Sequence, residues 1–304
     1  MLQPLLDICI CTCRRPEQLR RTLMSLSRMN LPDAVGLSVT VVDNDSSQGA
    51  SRTVEDLQAT FPFPIRYVVE SRPGIPLARN RCLDEAKAKG VDYLVFIDDD
   101  EWVDSGWLVN LYSYAQKVGG NSVVSGPVIS CLPVSSPEYY QVFFCRKKGT
   151  TGELMPYCAT NNVLIPSFLY SEMGLRFDER NPYAGGTDVM FFTEARSRGV
   201  EIRRCVEAVV YEDVPEHRAT LTWLSKRKYS VGITLARQKL YAGRNRSQLM
   251  GSAVTQFVVA SLTLLVGLPF RRLRTRSWLR ACRSAGMACG VLGAESQFYR
   301  RAHT

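Results

Sequence analysis

The feature that most constrains this chain lies in its first hundred residues. Strand-like runs alternate with helix-like runs, and polar or acidic clusters follow three of the strands. Leu5–Cys11 (LLDICIC), Leu37–Val42 (LSVTVV), Ile65–Val69 (IRYVV) and Tyr93–Ile97 (YLVFI) read as strands. Pro16 opens a helix with Leu19, Leu23 and Leu26 at helical spacing, and Pro76–Lys89 is a second helix that Gly90 can cap. This alternation predicts an α/β fold with a mostly parallel sheet and helices on both faces. Ligands of such sheets bind beyond the C-terminal strand ends. The clusters Thr12 to Arg15, Asp43 to Ser46 and Asp98 to Glu101 fall at those ends.

Further along, residues 123–177 read as short strands and turns, a mixed or antiparallel extension. Asn181–Gly186 reads as a loop, Asp188–Arg198 as a helix ended by Gly199, and Glu201–Tyr211 as one more strand. The 304 residues suit one large domain or one domain with an appendage. Two histidines, His217 and His303, exclude a multi-histidine zinc site. The ten cysteines form no C-x-x-C pair. Cys9, Cys11 and Cys13 alternate along one strand, as a soft-metal site or as buried small hydrophobes, and the second reading is favoured. The N-terminal apolar run is broken by Asp7, and Arg14 and Arg15 follow rather than precede it. A signal peptide is therefore not expected, and the cysteines are read as reduced cytosolic thiols.

The net charge of +9 is an average of two unlike parts. Met1–Glu216 carries 22 basic and 28 acidic residues, whereas His217–Thr304 carries 16 basic residues and one acid, Glu295. Inside that basic part, Ser247–Phe270 is a run of 24 residues without a charge, about 36 Å as a helix. Arg244 and Arg246 precede it, and Arg271, Arg272, Arg274 and Arg276 follow. Basic residues on both sides conflict with a simple span. A return stretch, Ser284–Ala294, is too short to cross. An interfacial or re-entrant helix pair at an anionic membrane fits the charges. The alternative is a buried helix of a soluble domain.

The strongest chemical signal is Asp98-Asp99-Asp100-Glu101. Four adjacent carboxylates repel one another unless a cation is near. A hard divalent ion, Mg²⁺ or Mn²⁺, held by one or two of them also grips a diphosphate.

The ordered pieces ICICTCRRPEQLRRTLMSL, VTVVDNDSS, GIPLARNRCLDEA, FIDDDEWV, YAGGTDVMFFTEARSRG and WLSKRKYSVG resemble the family-2 glycosyltransferases of GT-A fold, of the kind that builds bacterial exopolysaccharide and other surface glycans. The resemblance implies a Rossmann-like, mostly parallel mixed sheet flanked by helices over residues 1–235, with a nucleotide-binding half (1–120) and an acceptor-binding half (121–235). Residues 236–304 form a helical, membrane-associated extension. It implies that Thr12 and Arg14 line the nucleotide pocket and that Asp43 and Asn44 hold the base, commonly uracil. The family often has two adjacent acids there, and Asn44 is a departure. Arg79 would reach the uridine or diphosphate. Asp98 and Asp100 would form the D-x-D motif and hold Mn²⁺ or Mg²⁺, with Asp98 and Asp99 beside the nucleotide sugar. Asp188 would be the general base, beside Gly186 and Thr187, where Thr187 replaces a common Glu. Arg227 and Gly232 fit a basic motif that closes over the diphosphate. Trp102 is placed at the acceptor mouth, and Thr160-Asn161-Asn162 near the donor sugar by position alone.

The implied reaction is inverting transfer from a nucleotide-diphosphate sugar, such as a UDP-sugar, to a glycan or lipid-linked glycan. It would take place at the cytoplasmic face of the inner membrane, with residues 247–294 lying on or re-entering the bilayer and with no nucleic acid as partner. Two other classes remain open. A nucleotidyltransferase or phosphotransferase would use the same kind of sheet and acidic turn, but Thr12–Pro16 lacks the glycines of a phosphate loop. A basic nucleic-acid-binding module would leave Asp98, Asp100 and Asp188 without a role.

Overall fold

A computed structural model describes residues 3–144, 149–183, 185–296 and 298. The central sheet follows the sequence pattern. Strands β1 (Leu5–Thr12), β2 (Gly36–Asp43), β3 (Ile65–Val69) and β4 (Tyr93–Asp98) are parallel, in the order β3-β2-β1-β4. Between them run helices α1 (Pro16–Leu26), α2 (Ser51–Gln58) and α3 (Ile75–Lys89). Beyond β4 come β5 (Glu101–Val103), helix α4 (Trp107–Lys117), β6 (Val123–Ser125), β7 (Val128–Cys131) and the short helix α5 (Gln141–Phe144). Next are β8 (Asn162–Pro166), α6 (Phe168–Ser171), α7 (Thr187–Ser197), β9 (Ile202–Arg204) and β10 (Val210–Asp213). The large sheet continues past β4 as β8-β6-β9, where β8 runs antiparallel to both neighbours. A small second sheet, β5-β10-β7, begins right after the acidic cluster.

Alternation along β1 explains the two layers. Leu6, Ile8 and Ile10 face a core built with Leu19, Leu23, Val54, Trp107 and Leu111. Cys9 faces the opposite core with Ala78, Leu83, Phe96, Phe177 and Phe192. Cys9 is fully buried, and burial pushes its thiol up to about 12, so it behaves as a small hydrophobe. Cys11 Sγ lies 3.5 Å from Cys82 Sγ on α3. Asp7, also fully buried, is satisfied by Lys89 Nζ (3.1 Å) and the Thr40 hydroxyl (2.7 Å).

The stretch 201–211 differs from the sequence reading. It is not one strand but β9 and β10, which belong to different sheets. The turn Cys205–Val209 carries the chain from the outer edge of the large sheet to the small one.

Three long helices end the described chain: α8 (Leu221–Tyr241), α9 (Arg246–Val266) and α10 (Arg271–Val291). Asn245 caps α9 by accepting from the Ser247 and Gln248 amides. The short apolar stretch after Ser284 is the second half of α10, which packs against α8 through small residues. A Cβ on Gly232 would stand 2.0 Å from the Arg283 carbonyl oxygen, and one on Gly286 would stand 2.0 Å from that of Tyr229. The backbones therefore meet with no side chain between them. Helix α9 is, among the described residues, the one helix long and apolar enough to cross a membrane. Most of it is uncovered: Val254, Phe257, Val258, Leu262 and Leu265 are all exposed.

Candidate active site

The site forms where β1, β2 and β4 end. Thr12 closes β1 and is buried, and its hydroxyl donates to Asp99 Oδ2 at 2.8 Å. Arg14 adopts a left-handed backbone (φ 56°), uncommon for a residue with a Cβ, and its Nε donates to Asp45 at 3.3 Å. Arg15, one residue on, bridges Asp99 (3.2 Å) and Asp100 (3.1 Å) through a single Nη1. The β1–α1 turn thus supplies cations to both later acidic clusters.

Asp43 is fully buried and accepts from the Tyr67 hydroxyl (2.7 Å) and from the Asp45 and Ala50 amides (3.1 Å each). Burial raises its carboxyl above the usual range, although these three donors pull the other way. Asn44 is a brace. Its Nδ2 donates to the carbonyls of Glu70 (2.8 Å) and Arg72 (2.7 Å), and its Oδ1 accepts from Gly74 N–H (2.7 Å). An amide suits that place because it must donate and accept at once, which a carboxylate cannot.

Asp98, Asp99, Asp100 and Glu101 turn sharply out of β4 into β5. Burial pushes Asp98 up to about 7, against the pull of the nearby Arg79, with Asp100 and Asp99 adding repulsion. Burial likewise pushes Asp99 up to about 6, opposed by Arg15. Glu101 is buried and held well above its ordinary value by desolvation and then by Asp98. Its Oε2 accepts from the Asp98 amide at 2.9 Å, and its Oε1 accepts from Asn161 Nδ2 at 3.0 Å. Asp100 faces two guanidiniums, those of Arg15 and Arg218, the latter at 3.8 Å.

Among the described residues, no three Asp, Glu, His or Cys side chains converge as a closed metal cage. One or two carboxylates that resist ionisation beside each other, flanked by arginines, form a different donor set. It fits a hard cation that completes its shell with diphosphate oxygens and water.

Arg79 points from α3 toward α7. Its Nη1 donates to Thr187 Oγ1 at 3.4 Å, and its guanidinium lies 5.6 Å from the Phe177 ring centre. Gly186 precedes α7 in the left-handed region (φ 89°), and a Cβ there would meet Gln238 and Thr234 of α8 at 2.7 Å. Gln238 Nε2 donates to the Gly186 carbonyl at 2.9 Å. Asp188 follows in the first turn of α7, half-buried, with Oδ1 accepting from the Val189 amide at 2.9 Å.

The other residues singled out in the sequence have partners of their own. Trp102 stacks on Tyr211 across the small sheet (ring centres 5.7 Å apart), and the Arg21 guanidinium lies 3.9 Å from its centre. Arg227 lies over the Phe298 ring at 5.1 Å. Asn162 is tied into the core by Trp107 Nε1 (2.9 Å) and by its own bonds to the Pro127 and Ala208 carbonyls. Sequence reasoning gave no individual role to Arg15 or Arg218. Arg15 is legible as the second basic residue of a strand-end cluster. Arg218 lies in an irregular loop with no periodicity to mark it.

This fold and this cluster define a nucleotide-sugar transferase of GT-A architecture. Residues 7–173 match the family Glycosyl transferase family 2, and the chain belongs to that family and is a glycosyltransferase. Over 300 residues it is 36% identical to the succinoglycan biosynthesis protein ExoM of Rhizobium meliloti (strain 1021), covering 95% of this chain and 93% of that one. Among solved structures, it resembles the mannosyltransferase PcManGT of Pyrobaculum calidifontis in complex with GDP-Man and Mn²⁺. The TM-score is 0.67 at 16% identity, over 96% of this chain and 88% of that one. It also resembles S. aureus TarS 1–349 in complex with UDP-GlcNAc, with a TM-score of 0.57 at 14% identity, over 92% and 90% of the two chains.

Proposed function

We propose that the protein is an inverting glycosyltransferase of cell-surface polysaccharide synthesis. It moves a sugar from a nucleoside-diphosphate sugar, a UDP-sugar in our reading, to a glycan or lipid-linked glycan. Residues 1–120 bind the nucleotide, residues 121–235 bind the acceptor, and residues 236–304 rest on the cytoplasmic face of the inner membrane. The observation that carries the reading is the convergence at one sheet edge of the Asp98–Asp100 turn, Arg79 and Asp188's helix. The kinship with a succinoglycan biosynthesis protein supports the pathway class. The Mn²⁺ in a neighbour of like fold supports divalent-metal dependence.

In this reading Asp98 and Asp100 would hold Mn²⁺ or Mg²⁺, which would supply positive charge to the departing diphosphate. Asp99 does not point outward: it anchors Thr12 and Arg15 and so holds the turn in place. Arg15 and Arg218 add permanent positive charge beside the leaving group. Arg79 reaches from the nucleotide side to Thr187 and fixes α7 against the donor. Asp188 Oδ atoms take the acceptor hydroxyl proton as that oxygen attacks the anomeric carbon. Attack from the face opposite the diphosphate inverts the centre in one step, without a glycosyl-enzyme bond.

The test is a thermal-shift panel of nucleoside-diphosphate sugars with Mn²⁺ and Mg²⁺, followed by transfer assays on the preferred donor. Ligand binding raises the melting temperature by mass action. The expected result is a metal-dependent shift with one donor class and its loss in Asp100→Asn. A wild-type protein that no nucleotide sugar shifts would sink the reading.

A further inference from the structure

A second site lies outside the acidic edge. A cavity of about 320 Å³ opens between α10, α8 and the end of α5. Its walls carry Lys228, Arg272, Arg276, Arg280 and Arg283, with Phe143 among its apolar members. Among the described residues, no carboxylate lines it. Among the described residues, none of these five cations forms an ion pair. Glu295, the lone acid of the C-terminal part, is taken by Arg237 at 2.9 Å. Five like charges around one cavity repel, and an anion of several charges removes that cost. Desolvation and the Arg283 and Arg227 guanidiniums already hold the Lys228 ammonium below its ordinary value.

The cavity is tied to two other features. Arg283 Nη2 donates to Gln256 of α9 at 3.4 Å, so one residue of the pocket wall also reaches the helix whose outer face is apolar and exposed. Phe143 packs with Leu132, Leu224 and Leu279, which links the pocket wall to the segment following β7. Lys228 stands seven residues along α8 from Leu221, about 10 Å of rise, and Arg218 just before α8 touches Asp100.

We propose that this cavity binds the diphosphate of a lipid-linked acceptor, with the hydrocarbon chain of that lipid lying along the exposed face of α9. The charge count favours a diphosphate over the single phosphodiester of a bulk phospholipid. The neighbouring apolar face favours a lipid over free phosphate. This assignment deepens the acceptor side of the reading above and rests on it.

The test is co-flotation of the full-length protein with phosphatidylcholine vesicles carrying an alkyl diphosphate. Parallel vesicles carry phosphatidylglycerol at equal total charge, and inorganic diphosphate serves as competitor. Tighter binding to the alkyl diphosphate is expected, with inorganic diphosphate competing only in excess because it lacks the hydrocarbon chain. Arg276→Gln with Arg280→Gln should weaken it about thirtyfold, a factor of roughly five for each membrane-facing cation. Arg271→Gln with Arg274→Gln, on the same helix but outside the cavity, should weaken it far less. Arg276→Lys with Arg280→Lys should recover most of the binding. Equal binding to phosphatidylglycerol, equal loss in both glutamine pairs, or no competition from inorganic diphosphate even in large excess would each overturn the proposal. So would a stable lipid-free dimer that hides Phe257 and Leu262, because it would give that face to a second copy. A UDP-induced thermal shift on the same variants separates the two readings. Lipid binding without any nucleotide shift sinks the transferase reading alone, and a nucleotide shift without lipid selectivity sinks the cavity alone.

Discussion

Arg218 stands 3.8 Å from Asp100, although 118 residues separate them in the chain. β10 pairs antiparallel with β5, Glu212 opposite Glu101, so the loop between β10 and α8 starts beside the acidic turn. In the proposed reading a guanidinium there would add positive charge beside the departing diphosphate without taking part in proton transfer. Arg218→Gln should raise the donor KM about tenfold, the size of one charge-assisted hydrogen bond, and leave the melting temperature nearly unchanged. Steady-state kinetics with varied donor is the measurement, and an unchanged KM would remove Arg218 from the site.

Asp188 begins α7, whose N-terminus Arg79 and Gln238 fix from two sides. Asp188→Asn keeps the shape and loses the basicity. Transfer should fall by about 10²–10⁴, the usual contribution of a positioned base. The donor-induced thermal shift should persist. Full activity in this variant would move the base elsewhere.

Asn44 makes three hydrogen bonds that hold the 70–74 turn against the end of β2. Asn44→Ala strands the Gly74 amide and should destabilise the protein by about 2–3 kcal/mol in chemical denaturation. Asn44→Asp should be no better, because a carboxylate would face the Glu70 and Arg72 carbonyls. If aspartate restores stability, the brace is not what keeps asparagine here.

Asp43 provides the pH dependence. Burial raises its folded carboxyl above the unfolded value, so the folded state binds the proton more tightly. Its contribution to stability is present below the ordinary carboxylate range and is lost as pH rises through the raised value. The wild-type melting temperature should fall over that interval more than that of Asp43→Asn. Parallel profiles of the two proteins would contradict the assignment.

Gly232 lets α8 and α10 meet backbone to backbone. Gly232→Val should cost about 1–3 kcal/mol by overpacking and loosen the C-terminal hairpin. Limited proteolysis should then cut near Gly243, between α8 and α9. A variant as resistant as the wild type would show that α10 shifts freely.

The parallel half of the sheet was legible because each of its strands is a short, largely apolar β-rich run followed by polar or turn residues, and Ile65–Val69 matches β3 to the residue. The short strands β9 and β10 were not. Ile202–Arg204 and Val210–Asp213 are too short to show a period, so the bend between them reads as one strand. At the site, the acidic turn and Asp188 stand out by type and order. Asn44 reads as a ligand in sequence but is built as a strut, since its partners are main-chain atoms that no motif displays. Gly232 reads as part of a phosphate motif, while its neighbours in space are the carbonyls of another helix. The packing of Trp102 on Tyr211 and Arg21 depends on a strand pairing made more than a hundred residues later.

The hydrogen bond from Gln238 to the Gly186 carbonyl has a consequence of scale. It fastens the helix that bears Asp188 to α8, which is itself locked to α10 and through it to the apolar α9. The path from Asp188 to the exposed apolar face of α9 is thus a packed strut rather than a tether. In the proposed seating on a bilayer, such a strut would set a fixed height for Asp188. A growing glycan anchored in that bilayer would present only the sugar that stands at that height, so the enzyme would act as a gauge that selects its acceptor by length as well as by shape.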